Sequence, residues 1–176
     1  MLLNLKYKKI IEILKNDGIG VMPTDTIYGL VGSAFSRVAI NRIYKIKKRN
    51  KNKKLIVLIS SVNDLKKFKI KINKEQAKIL KKFWPGKVSI IIEDMAFRLP
   101  AKKSLIKILE KTGPLVAPSA NPEGLKPAEN IKQAKDYFEN RMDFYLSGGT
   151  LKSKPSTLIK INKNGEIEVL RGNIKL

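Results

Sequence analysis

Two short apolar runs limit this chain more than any other feature. Leu55–Ile59 is five apolar residues in a row, and Val88–Ile92 is apolar but for Ser89. Runs of this length, bounded by polar residues, read as strands buried in an interior. Segments of helical period lie around them. Leu5–Lys15 carries Tyr7, Ile10, Ile11 and Leu14 on one face and stops at Asn16-Asp17-Gly18. Ser36 caps a helix running to about Lys48. Asn73 with Gln76 forms a capping box for a helix ending at Phe83, where Trp84-Pro85-Gly86 packs as a stop. Ser104–Lys111 closes at Gly113-Pro114, and Asn130 with Gln133 starts a helix to about Asn140. Further strands are expected at Ile19–Met22, Ala96–Leu99, Leu115–Ala117 and Phe144–Leu146. Thr157–Ile161 and Glu166–Leu170 flank Asn162-Lys163-Asn164-Gly165, a hairpin signal. Alternating elements with a terminal hairpin define an α/β protein with a mixed sheet. No repeat or linker divides the chain, so residues 1–176 are expected to form a single domain.

Composition removes whole classes of chemistry. The chain has no Cys and no His. That excludes disulfides, thiol nucleophiles, Cys/His zinc sites and any triad with an imidazole base. Lys and Arg number 37 against 15 acids, a formal charge of +22, which attracts polyanions. Charged residues interrupt the apolar ones in the first 14 residues, so no signal peptide or membrane span is expected there and the protein is expected to be cytoplasmic.

Familiar nucleotide motifs fail. Gly18-Ile19-Gly20 lacks the third glycine of a dinucleotide fingerprint, where Pro23 stands. Gly86-Lys87 lacks the hydroxyl residue and upstream glycine of a Walker loop. Other segments concentrate polar chemistry. Pro23–Leu30 places two threonines, Asp25 and Tyr28 just after a strand, where open α/β sheets bind ligands; strand alternation would put Thr24, Thr26 and Tyr28 on one face, and the other reading is a Thr/Asp turn capping the next element. Lys47 and Arg49 put two cations at a helix end, suited to phosphate or to the helix dipole alone. Ser119 and Asn121 follow a strand and can hold phosphate oxygens or simply form a turn. Arg98 ends a strand with a fork that can take a carboxylate. Ser156 opens a strand and Arg171 closes the last one.

In order and spacing these segments resemble one family, the YrdC-like threonylcarbamoyl-AMP synthases. The pieces are PTDTIYGL (23–30), IYKIKKR (43–49), KLIVLI (54–59), WPG (84–86), RLP (98–100), GPLVAPSAN (113–121), KPSTLI (154–159) and LRGN (170–173). The resemblance implies an open, twisted mixed sheet with flanking helices around an electropositive cavity. It implies synthesis of L-threonylcarbamoyladenylate and pyrophosphate from L-threonine, bicarbonate or CO2, and ATP with Mg2+. Partner proteins would then transfer the group to tRNA.

Carried over, the resemblance implies that Lys47 and Arg49 are the catalytic cations. It implies that Lys47, Arg49, Ser119, Asn121 and Arg171 bind ATP, and that Thr24, Thr26, Tyr28, Arg98 and Ser156 bind threonine. No residue is expected to be a metal ligand. The chain departs from the pattern at Leu58 and Lys102, where many members carry His, and at Asn50, where Pro is common. It resembles the short form without an extra C-terminal domain. An alternative is a non-catalytic module that binds double-stranded RNA or tRNA through the same basic cavity.

Overall fold

The computed structural model describes residues 5–174. The ends of the expected domain, residues 1–4 and 175–176, lie outside them. In chain order the elements are α1 (Leu5–Lys15), β1 (Gly20–Pro23), β2 (Tyr28–Ser33), α2 (Arg37–Lys47) and β3 (Ile56–Leu58), then α3 (Lys74–Phe83), β4 (Val88–Ile92), β5 (Met95–Arg98) and α4 (Lys103–Thr112). After these come β6 (Leu115–Val116), α5 (Ile131–Phe138), β7 (Phe144–Tyr145), β8 (Thr157–Ile161) and β9 (Ile167–Arg171). A 3-10 segment spans Val62–Phe68 and another Glu139–Arg141.

The nine strands form one sheet in the order β7-β1-β2-β6-β3-β5-β4-β8-β9. β1 with β7, β3 with β5, and β4 with β8 are parallel; the other neighbours are antiparallel, so the sheet is mixed.

Local chemistry starts the helices. Ala39 N donates to Ser36 Oγ at 3.0 Å, Gln76 N to Asn73 Oδ1 at 2.9 Å, and Gln133 N to Asn130 Oδ1 at 3.0 Å. Each bond satisfies a donor that the first helical turn leaves open, and is worth about 1 kcal/mol. Trp84 is buried at the end of α3, with its indole N–H on Val88 O at 2.8 Å.

Strand alternation sends successive residues to opposite faces. Val21, Leu30, Val57, Phe97 and Val116 join the larger core beneath α2, α3 and α5. Met22, Val31, Leu58 and Leu115 point the other way and are covered by α1 and α4 through Ile10, Leu14, Leu105 and Leu109. These two helices cover only part of their face. The remainder, farther toward β4 and β8, is left open. Leu58 is fully buried under this helix pair. No helix among the described residues is long and apolar enough to cross a membrane.

Between β1 and β2 the turn reading holds: residues 24–27 bend rather than continue a strand, and β2, not expected from the sequence, begins at Tyr28. Thr24 Oγ1 accepts from Thr26 N at 3.1 Å and donates to Ile27 O at 2.7 Å, so its hydroxyl folds the chain back on itself. β2 runs through Gly29 and Gly32 because its neighbours come too close for side chains. A Cβ on Gly32 would meet Ile19 Cγ2 at 3.0 Å and Ala39 Cβ at 3.1 Å.

Candidate active site

The uncovered part of the sheet is the floor of a cavity of about 320 Å³. Ile56, Ala96 and Ile91 lie side by side on β3, β5 and β4, and Leu158 continues the floor on β8. Its walls come from chain ends and turns: Thr24–Gly29, Arg49, Lys54, Arg98, Ala117–Ser119, Pro155-Ser156 and Arg171. Hydrocarbon lies below this small cleft and four cations, Arg49, Lys54, Arg98 and Arg171, stand around it. No acid is among the lining residues.

Eight of the ten residues expected from the sequence line this cavity: Thr24, Thr26, Tyr28, Arg49, Arg98, Ser119, Ser156 and Arg171. Thr24, Thr26 and Tyr28 converge by the turn described above rather than by strand alternation. Lys47 and Asn121 lie one layer behind the wall. Lys47 is 1% exposed, and its Nζ donates to Ser119 O at 2.6 Å and Asn121 O at 2.5 Å, with Asn121 Oδ1 at 3.5 Å. Burial brings its pKa down to about 8; the nearby Arg49 charge adds to this and Glu123 opposes it. The Asn121 amide donates to Pro122 O and Leu125 O, both at 2.8 Å. This pair therefore shapes the 118–125 loop from within.

The other cations are held by backbone carbonyls. Arg49 donates to Lys53 O at 3.2 Å and Lys54 O at 3.3 Å, which leaves its charge uncompensated by any acid in contact. Arg171 grips Ser156 O at 3.2 and 3.0 Å. Burial lowers its pKa, and the Arg49 charge lowers it further. Ser156 Oγ shares a hydrogen bond of 2.8 Å with Ser89 Oγ, buried in β4. The Tyr28 hydroxyl donates to Gly149 O at 2.7 Å and accepts from Gly148 N at 2.8 Å, tethering the 148–149 loop. Gly29 bridges Ser119, and a Cβ there would press on Thr24 Cγ2 at 3.3 Å and Pro118 O at 3.4 Å.

Four residues of this region carried no assigned role in the sequence reading. Asp25 sits in the PTDT segment, and its carboxylate lies 3.0 Å from Arg98 Nη2. Ser89 stands behind Ser156. Lys54 adds a cation to the wall. Pro155 contributes an apolar edge. The PTDT motif was signal enough to mark Asp25. Nothing in sequence marked Ser89, whose partner is 67 residues away.

A mixed α/β sheet with an open, cation-walled face places fixed positive charge at strand ends, the position where open α/β sheets bind ligands. A sequence model of the Sua5/YciO/YrdC family, described as telomere recombination, matches residues 12–172. The chain belongs to that family. It is 30% identical over 96% of its length to a Methanocaldococcus jannaschii protein, provisionally named threonylcarbamoyl-AMP synthase, and the match covers 88% of that protein. A Hahella chejuensis threonylcarbamoyl-AMP synthase is 26% identical over 86% of this chain and 91% of its own. The fold of Pyrococcus abyssi Sua5, solved with L-threonine, superposes with a TM-score of 0.88 at 24% identity. That match covers 97% of this chain and 55% of that one, so the chain spans about half the P. abyssi protein.

Proposed function

We propose that this chain is a nucleotidyltransferase that makes L-threonylcarbamoyladenylate and pyrophosphate from L-threonine, bicarbonate or CO2, and ATP. The product would serve the threonylcarbamoyladenosine modification of tRNA in the cytoplasm, through separate transfer proteins. One observation carries the reading: a single cavity gathers the hydroxyls of Thr24, Ser119 and Ser156 with Arg49, Arg98 and Arg171, from distant parts of the chain. Related proteins named threonylcarbamoyl-AMP synthase support it.

The chemistry asks for what such a cavity offers. The threonine amine loses a proton as it joins CO2, forming a carbamate. A carbamate oxygen then attacks the α-phosphorus of ATP, and the bond to pyrophosphate breaks. Negative charge grows on the phosphorus oxygens and the leaving group. Fixed donors aimed at that charge are the largest catalytic term available without a base. Arg49 and Arg171 would meet the phosphates. Lys47 and Asn121 would set the loop that carries Ser119. Arg98, Thr24, Thr26, Tyr28 and Ser156 would form the threonine end.

Mg2+ fits as a companion of the nucleotide. Among the described residues no cluster of three or more acids could cage a metal. The lining side chains offer hydroxyl oxygens and no carboxylate, and Mg2+ readily keeps water and phosphate as its ligands.

Pyrophosphate release from ATP and Mg2+, with L-threonine or bicarbonate omitted in turn, tests the proposal. Release that needs both is expected. ATP binding without release would instead favour the RNA-binding reading that the +22 charge suggests. That alternative predicts RNA affinity falling steeply with salt.

A further inference from the structure

Arg98 is the most deeply buried cation on the cavity wall, at 4% exposure. Burial lowers its pKa; Asp25 opposes that, and Arg171 adds to it. Two of its contacts come from one turn. Nη1 donates to Thr26 Oγ1 at 3.2 Å, and Nη2 lies 3.0 Å from Asp25 Oδ1. Both side chains are more than nine-tenths buried. Yet neither Asp25 oxygen has a hydrogen-bond partner, and neither has Arg98 Nε. The attraction is ionic, without the alignment of a hydrogen bond. Buried polar atoms are almost always satisfied, and three orphans in one contact need a cause.

Asp25 itself is not on the cavity wall, while Arg98 is. The carboxylate therefore acts from behind. Thr24 Oγ1 folds the turn, the turn presents Asp25, and Asp25 with Thr26 fixes one side of the guanidinium plane. Arginine has five N–H groups, and a guanidinium gripped on one side keeps the others for a ligand. Planar forks of this kind match carboxylates. Without Asp25, a buried guanidinium near Arg171 would turn toward water.

Resting on the proposed threonine reading, we infer that Asp25 is the positioning residue of the amino-acid end. It holds the Arg98 fork where a substrate carboxylate meets it. Asp25 touches no reacting atom. Its consequence is selectivity for free α-amino acids over analogues lacking the carboxylate.

The test compares binding of L-threonine with that of L-threoninamide, which replaces the carboxylate with a neutral amide, by calorimetry on the full chain. Wild type should prefer L-threonine by about ten- to a hundredfold, the worth of hydrogen bonds to a charged group. Asp25→Asn keeps the shape and removes the charge. It should bring the ratio toward one while ATP affinity stays within about twofold. A merely structural loss would weaken both ligands and ATP together and would overturn the inference, as would an unchanged ratio. Thr26→Val, which leaves the charge pair intact, should lower the ratio partway; if Asp25→Asn does not fold, an unchanged ratio in Thr26→Val overturns the inference alone. Wild type that binds ATP but neither ligand overturns both the threonine reading and the inference. Equal wild-type affinity for the two ligands overturns the inference and leaves pyrophosphate release to judge the function.

Discussion

The two ends of the cavity neutralise a buried cation in opposite ways. Lys47 faces only carbonyl and amide oxygens, which carry partial charge, and its pKa falls to about 8. Arg98 faces a full carboxylate. Burial costs both cations; Glu123 offsets Lys47 only from a distance, whereas Asp25 meets Arg98 at 3.0 Å. Lys47 and Arg49 therefore keep their charge with no acid in contact, while the Arg98 charge is paired directly and Arg171 adds a further cation nearby. The choice of partner oxygens, neutral or anionic, separates the two buried cations.

The largest expected effect falls on the ion-paired end. Arg98→Ala leaves the Asp25 carboxylate buried and uncompensated, which should cost about 3–5 kcal/mol in urea unfolding. Lys47→Met leaves only neutral oxygens without donors and should cost about 1–3 kcal/mol. If Lys47→Met proves the more damaging of the two, the contrast between the ends is wrong.

A smaller effect sharpens the contrast through pH. The folded pKa of Lys47, about 8, lies below its usual 10.5. Between those values the unfolded chain binds a proton that the native state has shed, so this group's contribution to stability rises with pH across that window. Below pH 8 the buried charge is carried at full cost. Arg98 stays a cation throughout and adds no such slope. The stability difference between wild type and Lys47→Met, followed from pH 7 to 10.5, should grow in favour of wild type. A flat difference would mean that Lys47 does not titrate in this range.

The helix starts were legible because their chemistry is local. Ser36, Asn73 and Asn130 each bond a backbone N–H three residues on, and residue type alone announces that. The apolar runs gave β3 and β4 for a similar reason. β2 was not legible: Gly29 and Gly32 weaken its apolar pattern, and what makes it a strand is backbone pairing with β1 and with the distant β6. The 3-10 segment at Val62–Phe68 has no apolar period to reveal it; Asp64 holds it by accepting from Ser60 N at 2.9 Å and Ser61 N at 3.2 Å. In the site, motifs marked most of the wall. The ion pair between Asp25 and Arg98 spans 73 positions and was invisible, because only the fold decides which carboxylate meets which guanidinium.

The strand order has a consequence for how the protein is born. β1 pairs with β7, Gly20 opposite Phe144, and β4 pairs with β8. Ser156 and Arg171 come after both β1 and β4 in chain order. A nascent chain leaving the ribosome can form its helices and the β1–β2 hairpin early, since those contacts are near in sequence. It cannot assemble the cleft until the β8–β9 hairpin is made and docks beside β4. A chain cut before Ser156 would fold in part but lack the Ser156 and Arg171 wall of the cleft.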